Sequence, residues 1–79
     1  MARLEIGKCL ATDTRVCGGR LIFRRTRILV ADALELLAAG YTADEVARQY
    51  GGRITAAAVR EALRLTSRGV LREVVRRAA

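Results

Sequence analysis

The sequence predicts a mainly α fold: a bundle of three short helices, with a β-hairpin arm before it and a helical extension after it. Three observations predict it. Fourteen of the 79 residues are Ala and none is Pro, a composition that favours helix over sheet. From Val30 onward, apolar residues recur at helical spacing in three segments bounded by capping residues and glycines. Before Val30 the apolar residues follow a strand pattern instead.

Residues 1–29 make the arm. Leu4 and Ile6 alternate with charges, and Leu21-Ile22-Phe23 and Ile28-Leu29-Val30 are two β-prone runs around Arg24 to Arg27, with Gly18-Gly19 at the bend before them. A lone two-stranded hairpin is marginal in water, so the arm is expected to pair with the same arm of a second chain. Residues 30–66 make the bundle. The first helix turns Val30, Ala33, Leu34 and Leu37 inward, with Asp32-x-x-Glu35 as a capping box and Gly40 as its stop. The second opens on the Thr42-x-x-Glu45 box, buries Ala43, Val46, Ala47 and Tyr50, and stops at Gly51-Gly52. Thr55 caps the third, which carries Val59, Ala62, Leu63 and Thr66 inward and Arg60 and Arg64 outward. Residues 67–79 are an Arg-rich extension, either continuous with the third helix or a fourth short helix after Gly69.

Charge narrows the function. Fifteen basic residues against eight acidic ones leave +7, the footprint of a polyanion binder. The surplus is at the two ends, since residues 1–27 carry +5, residues 28–52 carry −3 and residues 53–79 carry +5. The chain has no His, which excludes His-dependent triads, imidazole ligands and a His proton switch. Cys9 and Cys17 are too far apart for a redox pair and too few for zinc, so they are read as free thiols. Asp32, Glu35, Asp44 and Glu45 are assigned to helix starts, where they complement the dipole. Ser67 has no base beside it in sequence, and no phosphate-binding loop occurs. No enzyme activity, metal or cofactor is therefore expected. The absence of a long apolar run makes the expected location cytoplasmic, away from membranes.

The second and third helices have the spacing of a helix-turn-helix, and equally that of a plain three-helix bundle. In the first case Arg53, Thr55, Ala56, Arg60 and Arg64, with Arg24, Arg25 and Arg27 of the arm, are the nucleic-acid contacts. The run Thr55-Ala56-Ala57-Ala58 has no Asn, Gln or Arg for bidentate base readout, so the arginines would hold phosphates rather than read sequence. Arg60, Arg64, Arg68, Arg72 and Arg76 recur every fourth residue, either as a ridge for a carboxylate-lined partner or as a solvated flank relieved by Glu61 and Glu73.

One longer run carries a family resemblance. Cys17-Gly18-Gly19, Thr26-Arg27-Ile28, Leu34 through Val46 and Tyr50 resemble domain-of-unknown-function family 433, regarded as VapB-like antitoxins. Leu21 and Leu29 replace the family's prolines. Arg25 replaces its glycine, at a cost of about 1 kcal/mol if the turn keeps positive φ. The resemblance implies a homeodomain-like three-helix fold with a β-arm, and a dimeric antitoxin that represses its own operator and neutralises a PIN-type ribonuclease toxin. Arg68, Arg72 and Arg76 are then the expected toxin contacts, competing for the carboxylates that hold the toxin's Mg²⁺. The alternatives are a non-specific basic nucleic-acid binder and a protein-only interaction module of helix-turn-helix ancestry.

Overall fold

The computed structural model describes residues 3–67. The chain runs through β1 (Arg3–Ile6), β2 (Leu10–Asp13), a 3₁₀ turn at Cys17–Gly19, β3 (Ile22–Phe23), α1 (Val30–Ala38), α2 (Ala43–Gln49) and α3 (Ala56–Ser67). The fold class expected from sequence is corrected here. The N-terminal third is a three-stranded antiparallel sheet in the order β1-β2-β3, not a hairpin arm on a mainly α bundle.

The correction turns on β2. Leu10-Ala11-Thr12-Asp13 has little β propensity and no polar face, because both of its sides are covered. Leu10 pairs with Phe23 and joins the helices in one core with Leu21, Ile28, Val30, Ala33, Val46, Ile54, Ala58, Val59 and Ala62. Ala11 pairs with Ile22 on the opposite face, and both are buried. Among the described residues, six large side chains are fully buried, Leu10, Ile22, Phe23, Val30, Val46 and Val59, each stabilising the fold by about 1.5–3 kcal/mol. Three of the six come from β2 and β3, so the sheet supplies as many of these fully buried side chains as the helices do.

The predicted hairpin around Arg24–Arg27 does form within this sheet. Ile22 bridges Leu29, Phe23 N–H donates to Ile28 O at 3.0 Å, and Val30 N–H donates to Leu21 O at 3.0 Å. Thr26 ties the loop together: its hydroxyl donates to Phe23 O at 2.7 Å and accepts from Ile28 N–H at 3.0 Å. Thr26 N–H also donates to Phe23 O, closing a β-turn in which Arg25 has φ 65°. Positive φ at that third position favours glycine, the residue that the resembling family carries there. Arg25→Gly is therefore expected to stabilise the protein by about 1 kcal/mol, read as a higher denaturation midpoint with unchanged slope.

The helices follow local signals closely. Thr42 Oγ1 accepts from Glu45 N–H while the Glu45 carboxylate accepts from Thr42 N–H, the complete capping box. Thr55 Oγ1 accepts from Ala58 N–H at 3.0 Å and caps α3. Gly40, at φ 107°, closes α1 in the left-handed position that glycine tolerates. Two expectations change. The Asp32-Glu35 box does not form: α1 starts on Leu29 without a side-chain cap, leaving Asp32 in the first turn and Glu35 beyond it. Leu63 is 47% exposed, because it follows Ala62 and is turned about 100° from that buried side chain.

Candidate nucleic-acid interface

The site is assembled by one buried carboxylate. Glu61, on α3, is 8% exposed and accepts from Lys8 N–H at 2.9 Å and Cys9 N–H at 2.8 Å. It holds the β1–β2 turn against the helix. Burial alone would raise its pKa, but the two backbone donors, the Cys9 thiol and the Arg64 charge outweigh it and hold the carboxyl below its ordinary range. Gly7 allows this approach, since a Cβ there would lie 2.7 Å from Glu61 Oε2 and φ is 62°. Cys9, beside the same carboxylate, has its pKa raised, first by burial and then by the negative charge of Glu61. That is the environment of an inert thiol.

The turn so held forms one wall of an open groove of about 270 Å³. Cys9, Phe23, Ile54 and Ala58 make its floor, and Lys8, Arg24, Arg25, Arg53 and Thr55 its rim. A second depression, of about 360 Å³, is lined by Arg3, Arg25, Arg27 and Arg53 together with Val16, Ile22 and Thr26. Arg25 and Arg53 border both. Positive charge from the β3 turn and from the approach to α3 thus converges where α3 begins. The first amides of a helix lack intrahelical partners and carry the positive end of its dipole. Among the described residues, Lys8, Arg25, Arg27, Arg53, Arg60 and Arg64 form no salt bridge, and all six are exposed.

The sequence-assigned contacts separate on this geometry. Arg25, Arg27, Arg53 and Thr55 come together around the groove and its neighbour. Arg60 and Arg64 are exposed farther along α3, and neither they nor Ala56 line either depression. Arg24 is mostly occupied internally: Nη2 donates to Gly7 O at 3.2 Å and lies 3.5 Å from Glu5 Oε1, while Nε is buried without a partner. Its backbone N–H donates to Cys9 O at 2.7 Å. Arg24 fastens the β3 turn to the β1–β2 hairpin more than it faces solvent. Lys8 and Arg3 were missed by sequence reasoning, because their place depends on sheet pairing and on Glu61, 53 residues from Lys8.

The four acidic residues assigned to helix starts lie on other elements. Asp32, Glu35, Asp44 and Glu45 are exposed on α1 and α2, and Glu45 is held below its ordinary pKa chiefly by the Thr42 N–H. Arg68, Arg72 and Arg76, assigned to toxin binding, and the 67–79 extension beyond Ser67 lie outside the described residues. No helix among the described residues is long and apolar enough to cross a membrane.

No curated protein and no solved structure matches the chain. A family model does match, over residues 11–65, from β2 through most of α3. With most of its length inside that match, the chain belongs to the family described as Protein of unknown function (DUF433).

Proposed function

We propose that this protein is a DNA-binding antitoxin that represses its own operator and neutralises a PIN-type ribonuclease. The single observation behind the DNA-binding part is the convergence of Lys8, Arg25, Arg27 and Arg53 around the start of α3. Guanidinium and ammonium groups free of carboxylate partners suit phosphate oxygens, and a helix start adds unpaired amides and a favourable dipole. Such contacts set register and affinity on a duplex, and they release counterions on binding. The toxin-binding part rests on Arg68, Arg72 and Arg76 in the sequence and on the family resemblance. Charge reversal of all three is expected to abolish inhibition of the toxin while leaving DNA binding in place.

A second reading, a non-specific nucleic-acid binder, is favoured by one observation. At the start of α3, Thr55 and Ala57 are the exposed residues, and Ala58 is buried, so this segment offers base edges a single hydroxyl and a methyl group. Fluorescence anisotropy on the duplex upstream of the gene, against a scrambled duplex at two salt concentrations, separates the readings. Four phosphate contacts predict a slope of log K against log salt of roughly −3.6, at about −0.9 per contact. A repressor keeps its preference for the upstream duplex at the higher salt. Equal binding to both duplexes supports the non-specific reading, and no binding to either leaves a protein-only module.

A further inference from the structure

β1 is the outer strand of the sheet, and among the described residues it pairs only with β2. Its residues Arg3, Leu4 and Glu5 are exposed, Leu4 to 60%, making it one of the most exposed large apolar side chains described. The family match begins at Ala11, so β1 lies outside it. An edge strand offers a row of free N–H and C=O groups to any strand that fits.

We propose that β1 pairs antiparallel with β1 of a second copy in one register, Leu4 against Leu4, with Arg3 of each copy facing Glu5 of the other. Backbone geometry limits the choices. Along a strand, alternate residues turn their N–H and C=O toward the same edge, so two identical edges align only residues of equal parity. Centred on Arg3, the register sets the two arginines against each other. Centred on Glu5, it opposes the two carboxylates. Centred on Leu4, it joins two apolar side chains and sets Arg3 opposite Glu5 twice. Arg3 already lies opposite Asp13 of β2, with Nη1 3.8 Å from Asp13 Oδ2. The pairing therefore extends a row of alternating charge across the seam: Asp13, Arg3, then Glu5 of the second copy. Both helical layers fall on one side of a continuous six-stranded sheet, since opposed residues share a face.

Sedimentation velocity of the full chain at low salt, without nucleic acid, tests the register independently of DNA binding. Arg3→Glu alone and Glu5→Arg alone are each expected to weaken self-association about tenfold, since each opposes two like pairs. An equimolar mixture of the two variants is expected to restore the dimer, because every facing pair is then of opposite sign. Restoration by mixing is not an effect that misfolding produces. A wild-type chain that stays monomeric, or variants whose mixture dimerises no better than either alone, would overturn the proposal. Leu4→Cys gives a second readout under mild oxidation. A covalent dimer joined at position 4 in both copies supports the register, whereas no dimer, or one joined only through Cys9 or Cys17, refutes it.

Discussion

Glu61→Ala is expected to cost about 2–4 kcal/mol of folding stability, because it leaves the Lys8 and Cys9 amides without acceptors at the junction of sheet and helix. A domain of this size has only about 3–5 kcal/mol to lose, so chemical denaturation should find the variant with about 1 kcal/mol left and a much lower midpoint than the wild type. Glu61→Gln keeps one acceptor and the shape of the side chain. It should fall between the two in stability and should alter the acid limb of the pH profile. The folded pKa of Glu61 is depressed below its unfolded value of about 4.3, so its contribution is complete above that pH and lost as pH falls through the folded value. Asp13, held low chiefly by the Arg15 N–H, and Glu45 act in the same direction. The wild type should therefore lose stability below about pH 4, and Glu61→Gln should lose less over the same interval. Equal acid sensitivity in the two proteins would show that Glu61 is not the latch.

Nucleic-acid affinity should respond most to the two side chains that border both depressions. Arg25→Gly with Arg53→Ala removes two phosphate-directed cations and is expected to weaken duplex binding about 10- to 100-fold at low salt, lowering the salt slope by about 2. The choice of glycine matters. Because Arg25 has positive φ, its replacement by Gly relieves the turn, so affinity lost through that position does not come from lost stability. Arg24→Ala is the contrasting control, since its guanidinium is bonded to Gly7 O and lies beside Glu5. It should lower stability more than it changes the salt slope. Unchanged binding by the double variant would remove the groove from the interface.

Arg25 also shows how a local conflict can mark a site. An arginine in a glycine geometry costs stability, and the structure places that arginine on the rim of two depressions. Backbone strain of this kind is often retained where a side chain has work to do. The conflict was visible in the residues once the turn was matched to the family pattern. Its purpose was not, because the other side of each depression belongs to distant segments.

What the sequence by itself determined lies within a few residues of its cause. Thr42 and Glu45 face each other one turn apart, Thr55 reaches Ala58, and Gly40 follows the last turn of α1, so all three helix boundaries were legible from spacing. The arginine candidates of the β3 turn and of the approach to α3 were legible for the same reason, as runs of charge beside recognisable elements. Only the tertiary structure decided that Leu10–Asp13 is a strand, because its extended form is stabilised by β1 and β3 and by cover on both faces rather than by its own residues. It alone placed Lys8 and Arg53 on one groove and turned Glu61 from a residue expected to relieve a solvated flank into a latch. Hydrogen bonds between residues more than fifty positions apart leave no periodicity in a sequence, since the partners meet only after sheet and helices have closed on a common core.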